Sequence, residues 1–465
     1  MKNGTTAQSK KMSMDFTEGN VTKQLLVFAA PLFLSNLLQI VYNMVDMVIV
    51  GQVMGKVGLS AVSVGGDVSN FLTFLAMGFS NAGQVMIAQY LGAGQKERLS
   101  KFICTMSTFL AICAVVLSCV CLMLRQPILL LMNTPQESFV ETLNYATVCI
   151  TGLIFIYGYN VVGAVLRGMG DSRHPFIFIS IAALTNVVLD IVFVMGLGMG
   201  AMGAALATVI SQALSFLLCL RFLSKNQERL GLEIHMRDFQ QMDLGMLGDL
   251  VKLGVPMAIK NASVQFSKLF VNSYINSFGV AVSAFAGVAN KVNSISNLIS
   301  NALNTAGSSM VAQNIGAKNY PRVPRIAGCV GAVTLSIAAL MSVLVVSFPR
   351  QIFGIFTDEA EVLAVAMEYL PIAVLIFLGS ACRAPANAII NGSGNYRVNF
   401  ATAIFDGIVM RLGLSALFGL SLNMGYIGFW LGDALAGFTP LVIGIVFYLT
   451  GAWKKGKKQP DKKNA

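Results

Sequence analysis

The sequence predicts an all-α polytopic membrane protein, with twelve transmembrane helices in two six-helix bundles related by a pseudo-two-fold axis along the membrane normal. Three observations predict this class: an excess of apolar residues, a repeat of half the chain, and a one-sided distribution of Lys and Arg. Of the 465 residues 55% are hydrophobic and 11% are charged, whereas a soluble domain carries about 25% charged residues. Much of the surface must therefore face lipid, which excludes a soluble enzyme, a disordered chain and a secreted disulfide scaffold.

Twelve apolar runs, each of about 20 residues or more, predict the spanning helices. The first run is too long for a cleavable signal peptide and it contains Asp46. The runs lie near 25–50, 58–91, 100–124, 140–166, 175–196 and 201–224, and near 247–278, 283–313, 326–348, 362–390, 398–420 and 425–450.

The polar segments divide the chain into five parts. We expect a cytoplasmic N-terminal tail at 1–23, an N-lobe of helices 1 to 6 at 24–224, a cytoplasmic linker at 225–246, a C-lobe of helices 7 to 12 at 247–451, and a basic cytoplasmic tail at 452–465.

The Lys and Arg residues predict the orientation. With a cytoplasmic N-terminus, 24 of the 32 fall in inner segments, and only Lys56, Arg125 and Arg350 fall in outer loops. This asymmetry follows the positive-inside rule and predicts that both termini are cytoplasmic, in the cell's inner (plasma) membrane. The basic tail is then expected to contact anionic membrane lipids rather than nucleic acid. The eight cysteines form no metal-binding pattern and are interpreted as packing residues.

The chain contains two copies of one six-helix unit. The segment Ala88-Gln-Tyr-Leu-Gly-Ala93 returns as Ala312-Gln-Asn-Ile-Gly-Ala317, and Gly168-x-Gly170-x-x-Arg173 returns as Gly392-x-Gly394-x-x-Arg397, both at one offset of just under half the chain. Pro31 returns as Pro256, and Gly200-x-x-Gly203 as Gly425-x-x-Gly428, at an offset that is larger by a single position. Because six is an even number, both copies have the same orientation in the membrane. A cavity is expected between or within the two halves, near the middle of the bilayer.

Several motifs resemble one transporter family. Pro31, the run Tyr42-Asn-Met-Val-Asp46, the loop RGMGDSRHP at 167–175 and the turns AQYLGAG and AQNIGAK are similar to those of the multidrug and toxic compound extrusion (MATE) family, DinF-like branch. The resemblance implies a secondary active antiporter that exports small organic solutes or drugs in exchange for Na⁺ or H⁺ by alternating access. A lipid-linked oligosaccharide or lipid flippase of the same superfamily is the alternative. We expect a monomer.

No other energy source or reaction is indicated. The sequence contains no GxxxxGK[ST] phosphate loop, and no HExxH or GxSxG motif. We therefore predict that the protein is not an enzyme and that it needs no cofactor beyond the coupling ion.

Intramembrane charges are the candidate functional residues, because each costs about 2.5–3.5 kcal/mol at the bilayer centre. Asp190 follows Asn186 by one helical turn among apolar neighbours. An unpaired carboxylate in such surroundings holds a proton or a metal cation, and an oxygen-only site suits Na⁺. The alternative is that the two side chains only join packed helices by hydrogen bonds. By resemblance, the cation-coupling site, which would also hold Na⁺ if the protein is sodium-coupled, consists of Asp46, Asn186, Asp190 and Thr208.

Substrate-cavity residues are expected in both halves. By resemblance Gln39 and Tyr42, with the adjacent Asn43, line the N-lobe cavity. The seventh span carries Lys260, Gln265 and Lys268 but no carboxylate. The C-half basic residues have three open interpretations: ion pairs with Asp406 or Asp433, snorkelling to an interface, or lining of a cavity for anionic or zwitterionic solutes. The C-half candidates are Lys260, Gln265, Lys268, Lys291 and Arg383.

Overall fold

This computed structural model describes residues 14–454, and every regular element within that range is a helix. The N-lobe begins with a helical run of 72 residues, Val21–Gly92, which breaks at Gly55. Its two arms are α1 (21–54) and α2 (56–92). The other N-lobe helices are α3 (Lys96–Leu131), α4 (Phe139–Thr151 continued by Leu153–Gly168), α5 (Arg173–Gly196) and α6 (Gly200–Lys225).

The C-lobe repeats this arrangement. Two short helices, Gln227–Leu230 and Met236–Gln240, lie in the linker, and Pro349–Gly354 lies in the loop after the ninth span. The spanning helices are α7 (Leu244–Asn276), α8 (Val280–Gly316), α9 (Arg322–Ser347), α10 (Ala360–Gly392), α11 (Tyr396–Ser421) and α12 (Gly425–Leu449).

The described residues contain the twelve predicted spans. Eight helices are long and apolar enough to cross a membrane, and the two segments of α4, bent by 46°, make one further span. The 72-residue run supplies two spans, since about 20 residues suffice to cross. Helices α7 and α8 complete the set, although their polar residues make them less apolar than the others. Large apolar side chains such as Met123, Leu131 and Leu449 are largely exposed, as a lipid-facing surface requires.

Backbone residues with positive φ recur at the repeat offset. Gly55 (φ 60°), between α1 and α2, corresponds to Gly279 (φ 117°), between α7 and α8. The other pairs, at the same offset or one position more, are Gly94 with Lys318, Gly170 with Gly394, Gly198 with Asn423, and Gly200 with Gly425. The turns therefore repeat together with the helices, and the predicted duplication is confirmed.

The two lobes meet at the end where α2 and α8 terminate. A Cβ on Gly92 would lie 1.9 Å from the Gln313 carbonyl oxygen, and a Cβ on Gly316 would lie 2.1 Å from the Gln89 carbonyl oxygen. Gln89 and Gln313 are repeat equivalents, as are the two glycines. The contact is therefore reciprocal, which a two-fold relation between the lobes requires.

The first helix of each lobe begins on the other lobe. Leu25 and Phe28 of α1 pack into a core with Leu303 and Met310 of α8. In the same way Leu253 of α7 packs into the core built by the N-lobe helices α2, α3 and α4. Each lobe therefore completes its core at this end with the first turns of a helix from its counterpart.

The segment before α1 crosses between the lobes at the same end. The Phe16 N–H donates to Gln313 Oε1 at 2.8 Å, and Arg322 donates to the Phe16 carbonyl at 2.9 Å and to the Glu18 carbonyl at 2.8 Å. The Met14 N–H reaches the carbonyl of Gly170 in the N-lobe at 3.4 Å. Residues 14–20 thus connect both lobes. The predicted tails at 1–13 and 455–465 lie outside the described residues.

One predicted loop residue lies inside a helix. Arg125, placed in an outer loop by the hydropathy pattern, belongs to α3, which continues to Leu131. Its Nη1 lies 3.5 Å from Thr147 Oγ1 of α4. The apolar residues Ile128 to Leu131 extend the helix beyond the arginine.

Candidate cation and solute sites

Two carboxylates face each other inside the N-lobe. Asp46 of α1 is 6% exposed and Asp190 of α5 is fully buried, and the two carboxyl groups are close neighbours. Asp190 ends the α-helical part of α5, and a π-helical segment, Ile191–Gly196, follows it. Such wide turns are frequent at functional sites. The helices thus bring together two acids from opposite ends of the N-lobe sequence.

Amide and hydroxyl groups stand beside the pair. Asn186, one turn before Asp190, has its Nδ2 3.5 Å from Thr208 Oγ1 of α6. Both carboxylate oxygens of Asp190, Oδ1 of Asp46 and Oδ1 of Asn186 are buried without a hydrogen-bond partner among residues 14–454. Oxygen acceptors without donors are a set that a proton or a hard cation such as Na⁺ satisfies. These oxygen ligands therefore fit the coupling ions, Na⁺ or H⁺, that the sequence suggests.

The structure adds two residues to this neighbourhood that the sequence pattern does not single out. Tyr145 of α4 is buried and close to both Asp46 and Asp190, and Gln212 of α6 lies beside the hydroxyl of Tyr42. Both come from helices other than α1 and α5, so no local spacing links them to the acids. Tyr42 itself is buried, Gln39 is half-buried and Asn43 is exposed.

The C-lobe interior contains an ion-pair network. Asp406, which is fully buried, lies 3.1 Å from Arg383 Nη2 of α10 and 3.3 Å from Arg411 Nη2 of α11. Arg411 also pairs with Asp433 of α12. Asp406 sits in a π-helical segment, Phe405–Val409. Of the three interpretations of the basic residues, ion pairing therefore describes Arg383 and Arg411.

The lysines of this lobe behave differently from the arginines. Lys260 Nζ donates to Asn387 Oδ1 at 2.6 Å. Lys268 forms no hydrogen bond or salt bridge within residues 14–454, and together with Gln265 it lines a cavity. Lys291 is exposed and lies outside the lining of that cavity.

The cavity occupies the centre of the C-lobe and has a volume of about 310 Å³. Five helices, α7, α8, α10, α11 and α12, contribute to its wall. Most of the wall is polar, and the apolar contributions include Leu269 and Ile376. Its charged and amide side chains are Gln265, Lys268, Asn272, Asn290, Asn293, Asn297, Arg383, Arg411 and Asp433.

Comparison with known proteins assigns the fold and the family. A probable multidrug resistance protein, YoeA, from Bacillus subtilis (strain 168) is 29% identical over 97% of this chain and 98% of its own length. A solved outward-facing multidrug resistance MATE family transporter of the MOP superfamily superposes with a TM-score of 0.85, at 23% identity, over 95% of this chain and 98% of its own. A MOP superfamily transporter from Pyrococcus furiosus, described as having a binding pocket of reverse polarity, superposes with a TM-score of 0.86, at 22% identity, over 97% and 99%.

The family assignment covers both halves of the chain. The MatE family model matches residues 31–192 and again residues 256–417. The two matches begin at Pro31 and Pro256, the pair of prolines that marks the sequence repeat. The twelve-helix fold and the duplicated architecture agree with this match, and the chain belongs to the MatE family.

Proposed function

We propose that this protein is a secondary active transporter that exports small organic solutes or drugs in exchange for Na⁺ or H⁺. The observation that carries the proposal is the buried pair Asp46 and Asp190, which has no basic partner among its described neighbours and lies in a chain of the MatE family. Relatives named as multidrug resistance proteins support efflux rather than the flipping of lipid-linked oligosaccharides. Transport in this family also supports a role other than enzymatic catalysis.

The N-lobe site is proposed to bind the coupling cation. Asp190 and Asp46 would share it, and Asn186 and Thr208 would supply further oxygens. Two neighbouring buried carboxylates repel each other when both are ionised, and a bound proton or Na⁺ reduces that repulsion. Binding of the cation therefore favours the state in which α1 and α5 are closest.

Coupling to the solute is proposed to run along α1. Gln39, Tyr42 and Asp46 follow each other at spacings of three and four, so they share one helix face. A solute against Gln39 and Tyr42 and a cation at Asp46 would then favour different positions of α1. By linkage, each ligand weakens the binding of the other by the same factor.

Transport by the full chain in sealed proteoliposomes tests the function. An organic dye is either trapped inside the vesicles or added outside them. A Na⁺ gradient and a pH gradient are then imposed separately. We expect dye movement against its gradient with at least one of the two ions. Dye flux that is independent of both gradients would contradict coupled antiport.

The orientation is a separate proposal. We infer that both termini are cytoplasmic in the plasma membrane, which the Lys and Arg distribution supports. In a background without the eight native cysteines, one cysteine is introduced in the linker at 225–246 and another in the 349–359 loop. An impermeant maleimide should label the loop in intact cells and the linker only in inverted vesicles. Labelling of both positions from one side would overturn the topology of two six-helix halves.

A further inference from the structure

The cations around the C-lobe cavity outnumber the carboxylates. Lys268, Arg383 and Arg411 line it, and Asp433 is the one lining carboxylate among the described residues. Asp406 lies behind the wall and is already shared between the two arginines. These five groups carry one net positive charge in the interior of a membrane protein, where unbalanced charge is costly.

One cation at this cavity has no acceptor among the described residues. Lys268 lines the cavity and forms no hydrogen bond or ion pair within residues 14–454. Arg383 and Arg411 also line it, and their ion pairs use only part of the donors of each guanidinium group. Charged donors form their strongest hydrogen bonds with charged acceptors. These side chains therefore suit an acceptor with negative charge.

The cavity is the repeat counterpart of the N-lobe site, with its polarity reversed. Asn186 and Thr208 are 22 residues apart, and so are Arg411 and Asp433, which stand at the equivalent positions of the second repeat. A neutral amide–hydroxyl contact in one lobe is thus an ion pair in the other. Ser415 stands at the position that corresponds to Asp190, so this position carries a hydroxyl group in the C-lobe and a carboxyl group in the N-lobe.

The wall also suits the organic part of a ligand. Leu269 and Ile376 offer apolar surface, and Gln265, Asn272 and Asn290 offer amides around it. A volume of about 310 Å³ lies at the lower end of the range of small-molecule sites, roughly 300–1,000 Å³. The space fits a headgroup with a compact ring system.

We propose that the C-lobe cavity binds an organic anion, whose carboxylate, sulfonate or phosphate group is held by Lys268 together with Arg383 and Arg411. The binding chemistry stands independently of the transport proposal, and only its role as a substrate site rests on the proposed efflux function. The N-lobe would then hold the coupling cation and the C-lobe the exported anion. The anionic group has two sources, a soluble organic acid or the headgroup of a membrane lipid.

Equilibrium binding of two dyes with one ring system tests the charge preference. The full-length protein is placed in phosphatidylcholine nanodiscs, and fluorescence anisotropy follows fluorescein, an anion, and rhodamine 123, a cation. We expect a saturable fluorescein signal that weakens as salt rises. Rhodamine 123 that binds as tightly to the C-lobe as fluorescein, and is equally sensitive to Lys268 substitution, would overturn the proposal.

Variants of two lysines assign the signal to the cavity. Lys268→Gln should weaken fluorescein binding by about tenfold or more, the loss of one charge-assisted hydrogen bond. Lys268→Arg should restore most of it, and Lys291→Gln, outside the cavity lining, should leave it unchanged. Equal fluorescein affinity in Lys268→Gln and in the unchanged protein, with both intact by size-exclusion chromatography, would refute the assignment.

Lipid composition distinguishes the two sources of the anion. Phosphatidylglycerol replaces part of the phosphatidylcholine, at a salt concentration that screens the disc surface. Competition that requires Lys268 shows that a lipid headgroup reaches the cavity, whereas unchanged fluorescein affinity excludes the lipid headgroup and leaves a soluble acid as the source. Failure of fluorescein to bind would remove this inference alone, because gradient-driven transport tests the efflux function separately.

Discussion

At the scale of single residues, the buried charges of the N-lobe are mainly acidic and those around the C-lobe cavity are mainly basic. The N-lobe interior places Asp46 against Asp190, two acids without a base among their described partners. The C-lobe interior places Arg383 and Arg411 around Asp406. A duplicated chain with one backbone plan therefore contains paired acids in the interior of one lobe and an excess of bases in the interior of the other.

Replacement of Asp190 separates charge from shape. We expect Asp190→Asn to reduce ion-driven efflux to the level of protein-free vesicles, because the amide keeps the volume but cannot hold a proton or a cation by charge. The yield and the elution volume should remain those of the unchanged protein. Efflux is measured in proteoliposomes under an imposed Na⁺ or pH gradient.

Asp67→Asn is the matched control for this variant. Asp67 lies in α2 of the same lobe and is exposed, so its substitution should leave ion-driven efflux unchanged. Full gradient-driven efflux by Asp190→Asn would show that Asp190 serves only to join packed helices.

Asp243 gives a pH-dependent prediction outside the membrane-spanning segments. It caps α7 by accepting hydrogen bonds from the N–H groups of Gly245 at 2.9 Å and Met246 at 3.0 Å, and it pairs with Lys101 at 3.2 Å. The Met246 N–H, together with Lys101 and the Gly245 N–H, holds the pKa of Asp243 below its usual value. We expect Asp243→Ala to lower the free energy of unfolding by about 1 kcal/mol at pH 7.

The sign of the pH effect follows from the lowered pKa of Asp243. The charge stabilises the folded state above the unfolded pKa of about 3.9, and this contribution is lost as the pH falls through the lower, folded pKa. The difference in melting temperature between Asp243→Ala and the unchanged protein should therefore narrow below about pH 4. Glu233→Ala, an exposed position of the linker, serves as the control. A difference that stays constant from pH 7 to pH 3 would contradict the linkage.

At the scale of helices, hydropathy locates the spans because each lipid-facing surface must be apolar. The spans α7 and α8 also follow from their apolar runs, although Lys260, Lys268 and Lys291 make them more polar, and the repeat agrees with six helices in each half. The bend inside α4 and the extension of α3 beyond Arg125 were not predicted, since both depend on packing against neighbouring helices. The π-helical segments after Asp190 and around Asp406 leave no periodic signal in a uniformly apolar run.

The break between α1 and α2 depends on one glycine. Gly55 has φ 60° and ψ −143°, a region that residues with a Cβ adopt only under strain. No atom of residues 14–454 lies within 4 Å of a Cβ built on it, so the expected penalty is strain in the backbone. We expect Gly55→Ala to destabilise the protein by about 1–3 kcal/mol in thermal melts.

Gly66→Ala provides the comparison for this break. Gly66 lies within α2, and a Cβ built on it also meets no atom within 4 Å. Alanine in a helix interior should be neutral or stabilising by up to about 1 kcal/mol. Equal melting temperatures for Gly55→Ala and Gly66→Ala would disprove the role assigned to the break.

At the scale of the whole molecule, the lobes close on each other where Gly92 and Gly316 meet the backbone of the opposite helix. The side chain introduced by Gly316→Val would run into the Gln89 carbonyl oxygen, which lies 2.1 Å from where a Cβ on Gly316 would stand. We expect this variant to separate the lobes at this end and to shift the population toward the state that is open there. Spin labels at Lys96 and Lys318 should report a longer distance by pulsed electron paramagnetic resonance.

Gly287→Val is the control for this separation. Gly287 lies in α8, as Gly316 does, and a Cβ built on it meets no atom of the described residues within 4 Å. Its label distances should match those of the unchanged protein. Identical distance distributions for Gly316→Val and Gly287→Val would exclude a closing contact at Gly316.

The sequence predicted the site residues of the N-lobe better than those of the C-lobe, for a physical reason. Asp190 and Asn186 lie one turn apart on one helix, and their apolar neighbours identify them without any tertiary information. The ion pairs of Asp406 and Arg411 together join three helices, α10, α11 and α12, so a pattern along the chain could not choose between ion pairing and an open cavity. In the structure Arg383 forms an ion pair and also lines the cavity, whereas Lys268 lines the cavity without an ion pair among the described residues.

The exchanged first turns of α1 and α7 have a consequence for assembly. Each lobe completes its core with the first turns of a helix from the other lobe. A domain-swapped dimer has the same arrangement, except that here both halves belong to one chain. The covalent linker is then not what holds the lobes together. A protease cut between Gln227 and Gln240 should leave two fragments that co-purify, because Leu25 and Phe28 on one side and Leu253 on the other remain embedded in the opposite half.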